Sequence, residues 1–373
     1  MSKKIIDFDG SWQNYKMTNG KFSCGFNMPN AIKGEGSHRL PPYAKRMPFL
    51  VDEYPACPNS WMKSEGRVKS FFVAVEEGKG MWLDLNDNAN LDRHVAVVIS
   101  IQGINPITGL PCKDAQLEQY IDSCPKHKKK FGPDRYCKEC GFKWPKQNYL
   151  ATTGTPNGAF WLDGFKAADG IVRQYILTAE KMRGVASNII GEDRVYAVGL
   201  SFFLAKGKKP EDLVKTGTTR ACWESYTISN HDLVMGDWNQ DSHVLYDDSS
   251  RVLYDDSSTA LYCCNISSSS ASNHASNSSN SSEKKKMIKK GVGSVLRSVK
   301  SVSTKKLEVG AGANIYQAVH DDPENLDFWH NEPESIICIN YAIEADVKKI
   351  IEAGYESIES HPEGFLQDVP VGN

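Results

Sequence analysis

Short apolar runs punctuated by glycine, proline and polar residues fill the first third of the chain. "SFFVAV" (70–75) and "HVAVVISI" (94–101) are β-branched and aromatic runs bounded by turn formers, which is the pattern of strands. Prolines at 41, 42, 48, 55 and 58 predict an ordered but irregular coil over 40–60. Residues 1–120 therefore read as a β-rich N-terminal region. Beyond residue 148 the pattern predicts strand, strand, helix, strand. "AFWLDGF" and "VRQYIL" pair around the turn "KAADG", and Thr178 caps a helix over "AEKMRGVASNII", with Glu180 in its first turn. Gly191 ends that helix, and "RVYAVGLSFFLA" follows as a buried strand. The fold class expected is α+β and β-rich, with antiparallel sheets and few helices.

The last third changes texture twice. From His243 to Tyr262 the octad "HVLYDDSS RVLYDDSS TALY" repeats, setting Asp247, Asp248, Asp255 and Asp256 between apolar triplets. The bland reading, a duplication in a tolerant surface loop, is preferred to a cation site. The tract "SSSSASNHASNSSNSS" (267–282) has linker composition. In 283–306, apolar residues at 288, 292, 295, 299 and 302 have helical spacing, with nine Lys/Arg against one Glu. Docking of that stripe on a neighbouring domain or subunit is the economical reading. "ESIICINYAI" then predicts a strand and "EADVKKIIEAG" a helix stopped by Gly354. This C-terminal unit either has its own core or adds to the main sheet. The segments expected are 1–120, a metal module at 121–148, an α+β continuation at 149–238, repeat and linker at 239–282, the basic segment at 283–306 and a small α/β region at 307–373.

Composition narrows the setting. A chain of 373 residues implies more than one core, and its net charge of −2 says nothing either way about a general polyanion-binding surface. No apolar run has signal-peptide or membrane-span length, so a cytoplasmic protein with reduced thiols is expected. The sequons at Asn265, Asn277 and Asn280 then read as accidents of a Ser/Asn-rich tract.

Chemistry concentrates in "CPKHKKKFGPDRYCKEC" (124–140). Cys124 and His127, then Cys137 and Cys140, form two close pairs of soft or borderline ligands, and tetrahedral zinc is held by two such tight turns. Gly141 lets the backbone bend so that amides point at the thiolates. The segment resembles a zinc-ribbon or zinc-knuckle site, and the resemblance implies a metal but no particular function. Four ligands close the shell, so structural zinc is expected rather than catalytic zinc. Eight Lys/Arg against two acids over 124–146, interleaved with Phe131, Tyr136, Phe142 and Trp144, raise single-stranded nucleic acid as an alternative partner. "DLNDNANLD" (84–92) lacks the Gly and Glu of a calcium loop, and "GAGANI" (310–315) lacks the third Gly of a dinucleotide motif. Single-chain adjacency of acids to His94 or His231 is too little to define catalysis. The leading expectation is a non-enzymatic structural or assembly protein, a homo-oligomer or one docking a protein partner. A nucleic-acid-associated protein is the alternative, and an enzyme with an unrecognised site comes third.

Overall fold

The computed structural model describes residues 15–33, 44–210 and 300–359, apart from short gaps at 113, 133, 157–158, 168–170, 180–183 and 192–195. The octad repeat, the polar tract, His231 and most of the basic segment lie outside the described residues.

Two sheets carry the body. The first contains β1 (Met17–Asn19), β2 (Phe22–Asn27), β5 (Gly80–Asp84), β10 (Trp161–Leu162), β11 (Gly164–Lys166), β12 (Val172–Thr178) and β14 (Glu308–Ile315). The second runs in the order β3 (Pro48–Leu50), β4 (Val68–Val75), β15 (Ser335–Ile343), β13 (Ala197–Leu204), β6 (Val95–Ile101) and β9 (Tyr149–Ala151). Pairing is antiparallel except between β4 and β15, which run parallel from Val68↔Ile336 to Val75↔Ile343. A two-stranded ribbon, β7 (Tyr136–Cys137) and β8 (Phe142–Lys143), stands apart.

Period-two alternation explains why the two sheets stack. Val95, Val97 and Ile99 of β6 and Leu200 and Phe202 of β13 face Phe22, Leu83 and Tyr175 of the first sheet in one core. Phe22 and Phe202 stack across that core with ring centroids 5.0 Å apart. The alternate residues of the second sheet are buried too. Phe72 and Ala74 pack under α2 (Glu344–Glu359), and Ala96, Val98 and Phe203 lie under Trp329 and Cys112. Burial on both faces accounts for the continuous apolar runs seen in the sequence.

Several expectations are corrected. Thr178 is the last residue of β12, paired with Glu308, and is not the N-cap of the described helix that follows. The helix there is α1 (Val185–Ile189), entered from Gly184, which bridges Gly310. Pairing with a strand 130 residues downstream overrides local helix propensity. Gly191, at φ +84, does follow the end of α1. The C-terminal helix passes through Gly354, a residue that costs only about 1 kcal/mol inside a helix. Of the basic segment, residues 300–306 are non-helical. Val302 donates its amide to Ala56 O at 2.8 Å and packs on the core beneath α2, so this end docks on the chain's own body. β15 joins the main sheet, the second of the two placements expected for it. Among the described residues no helix is long and apolar enough to cross a membrane.

Candidate metal centre

The connection from β6 to its neighbour β9 carries the Cys/His segment away from the body. It leaves and returns through an antiparallel neck: Tyr120 N–H donates to Lys146 O at 2.6 Å and Asn148 N–H to Glu118 O at 3.1 Å. The Asn148 carboxamide reinforces the neck, accepting from Glu118 N–H at 2.9 Å and donating to Gln116 O at 2.9 Å.

Beyond the neck the two ligand pairs are built alike. Lys128 N–H donates to Cys124 O at 2.8 Å, and Gly141 N–H donates to Cys137 O at 2.9 Å. Each turn needs a left-handed residue four places after its first cysteine, Lys128 at φ +56 and Gly141 at φ +63. Glycine suits the second turn twice over, since a Cβ there would also meet Tyr136 Oη at 3.3 Å. Both turns aim amides at sulfur. His127 N–H lies 3.4 Å from Cys124 Sγ, and the amides of Cys140 and Glu139 do the same for Cys137.

All four ligand atoms lie within 4.8 Å of one another. His127 Nδ1 is 3.7 Å from Cys124 Sγ and 3.6 Å from Cys137 Sγ, and Cys124 Sγ is 3.9 Å from Cys140 Sγ. Around tetrahedral zinc, with Zn–S about 2.3 Å and Zn–N about 2.0 Å, neighbouring ligand atoms stand roughly 3.5–3.8 Å apart. The sulfurs are far beyond disulfide length, about 2.05 Å. Cys124, His127, Cys137 and Cys140 are therefore close enough to hold a metal ion. Burial would raise the Cys137 thiol, but hydrogen bonds from Cys140 N–H, His127 and Glu139 N–H outweigh it and bring it down to about 6. Burial takes the Cys124 thiol up to about 11.

The rings named in the sequence divide sharply. Trp144 is buried, lies 4.7 Å centroid-to-centroid from Phe142, and donates its indole N–H to Cys140 Sγ at 3.4 Å. Phe131 lies beneath the Arg135 guanidinium at 4.9 Å. These rings are the small core of the module. Tyr136 alone among them is exposed, opposite Lys143 in the ribbon. Lys129 pairs with Glu139 at 2.5 Å. Lys126, Lys128, Lys130, Lys138 and Lys143 are exposed.

The weaker candidates fall into structural roles. Asp84 forms a buried ion pair with Lys45 at 3.0 Å, and in the 3-10 turn that follows Asn86 accepts from the remote Phe160 N–H while Asn88 donates to Leu85 O. "GAGANI" lies in β14, so its glycines open no helix. His94 Nδ1 contacts Thr152 Oγ1 at 3.2 Å. Cys24, Cys57, Cys112 and Cys338 are buried cysteines outside the cluster. Arg135 supplies no ligand atom and is half-buried among the rings of the module. No protein-family model matches the sequence, and no curated protein or solved structure matches the chain.

Proposed function

We propose that this chain is a non-enzymatic structural or assembly protein whose small Cys3His module is closed by a structural zinc ion. One observation carries the reading: three sulfurs and one imidazole nitrogen converge at separations suited to the edges of a tetrahedron. Four protein ligands leave no coordination position for a reacting water, and a closed shell of this kind serves structure. The soft donor set favours zinc over magnesium or calcium. Support for assembly comes from the sequence, in which a long polar tract and an apolar-striped basic segment are inserted between strands of one body.

Metal analysis of the purified full chain should find about one equivalent of zinc, lost in Cys137→Ser/Cys140→Ser. Light scattering should give a mass that is a multiple of 41.5 kDa. A metal-free wild type would remove the zinc reading, and a strict monomer at high concentration would remove self-assembly.

Nucleic-acid association is the second reading, and the exposed lysines of the module favour it. With Phe131, Phe142 and Trp144 engaged internally, such binding would rest on phosphate contacts rather than on base stacking. Anisotropy titration of a labelled single strand tests it. Affinity should fall steeply with salt and drop in Lys126→Gln/Lys128→Gln/Lys130→Gln, whereas salt-independent or absent binding excludes it.

A further inference from the structure

One side chain joins everything that enters the metal module to everything that leaves it. Arg135 donates Nε–H to Trp144 O at 3.2 Å and one terminal nitrogen to Ile121 O at 2.9 Å. Its other terminal nitrogen donates to Pro145 O at 2.7 Å and to Tyr120 O. Tyr120 and Ile121 are the incoming chain, three residues short of Cys124. Trp144 and Pro145 are the outgoing chain, beginning four residues after Cys140. The guanidinium carbon lies over the Phe131 ring, 4.9 Å from its centroid. The backbone of Arg135 is committed as well, at φ +60, with Trp144 N–H donating to Arg135 O at 3.1 Å.

This is not how a cation behaves when it serves only to offset thiolate charge. Compensation needs a positive group near the sulfurs and no particular geometry. Here a planar fork is matched to four main-chain acceptors on two segments, a task that an ammonium group cannot reproduce. The bonds to Tyr120, Trp144 and Pro145 are part-buried, so removing the fork loosens the two segments and takes a donor from three carbonyls that water reaches poorly. The clamp also reaches the ligands by a short route. It fixes the main chain of Trp144, whose indole N–H meets Cys140 Sγ.

We propose that Arg135 is the positioning residue that sets the metal affinity of the module, by locking the two segments of the neck at the spacing at which the Cys124–His127 and Cys137–Cys140 pairs meet. This rests on the reading of the Cys/His cluster as a metal site. Partners of that indirect kind are typically worth about 10–100-fold in metal affinity.

The test uses the full chain as wild type, Arg135→Lys and Arg135→Gln, titrated with cobalt(II) and zinc(II) against a competing chelator. Cobalt absorption reports ligand set and tetrahedral geometry, and thermal unfolding of the body reports folding separately. The clamp predicts that both variants keep the body's unfolding midpoint and lose roughly 10–100-fold in affinity. Lysine should fare almost as badly as glutamine. If lysine restores wild-type affinity, charge compensation is the role and the proposal is overturned. Affinities of both variants within twofold of wild type overturn it as well, while leaving the metal reading intact. A wild type that takes neither metal removes the metal reading and this proposal together. If either variant loses the body's unfolding transition, the role is in the fold of the whole chain, and the proposal as stated fails.

Discussion

Asp163, in the link between β10 and β11, is fully buried, and among the described residues neither of its carboxylate oxygens has a hydrogen-bond donor from another residue. Burial pushes its carboxyl up to about 7, against a smaller opposing pull from its own backbone N–H. An unfolded aspartate titrates near 3.9. Between these values the native state holds a proton that the unfolded state has released. Its stability contribution is therefore intact below the unfolded value and declines as pH rises through about 7, by at most roughly 4 kcal/mol. Urea unfolding of wild type and Asp163→Asn across pH 5–8 should show wild type losing stability relative to the variant as pH rises. Parallel curves would refute this. Gly141 gives a second residue-scale expectation. A left-handed backbone costs a non-glycine residue about 1–2 kcal/mol. Gly141→Ala should therefore weaken metal binding by roughly 5–30-fold, measured by the same chelator competition. Lys128 already tolerates the equivalent position in the first turn, so Lys128→Ala should leave affinity close to wild type.

Strand alternation sets the elements. Phe202 and Phe203 are adjacent and both fully buried, yet they serve different cores, Phe202 between the sheets and Phe203 under Trp329. Phe202→Ala should cost about 3–5 kcal/mol, because the rigid stack with Phe22 cannot collapse into the space. Denaturant unfolding checks this, and a loss below 1 kcal/mol would mean that the sheets repack. The same burial made β6 and β13 readable in sequence, since a strand covered on both faces is a continuous apolar run. The error at Thr178 has the opposite origin. Its strand partner, Glu308, is remote in sequence, and nothing local announces that pairing. Residues 300–306 had helical spacing but run without helix against Ala56 and Asp346. The ligands were legible because two Cys-x-x-ligand turns are local patterns with a chemical reason for their spacing. Arg135 was not, because its partners are backbone carbonyls, which every residue carries.

At the scale of the molecule, the metal module and the sandwich are separate cores joined by a neck. Cys124, Cys137, Trp144 and the rings around them form one cluster, and no residue of 121–148 belongs to the core between the sheets. The largest apolar burial, and with it most of the hydrophobic stabilisation, therefore lies where the metal cannot reach directly. On the proposed metal reading, the module's small cluster depends on the ion, as in other small metal domains whose binding energy is their folding energy. Stripping the metal with a chelator should consequently release the module alone. Hydrogen exchange should rise across 121–147 and stay low in β6, β13 and β15, with the main calorimetric transition little moved. The neck sets where that release stops, since Asn148 and Tyr149 are tied to Glu118 and Asp322 independently of the ligands. If metal removal instead collapsed protection throughout β6 and β13, the module would be a keystone of the whole fold, and its separation from the sandwich core would be structural but not energetic.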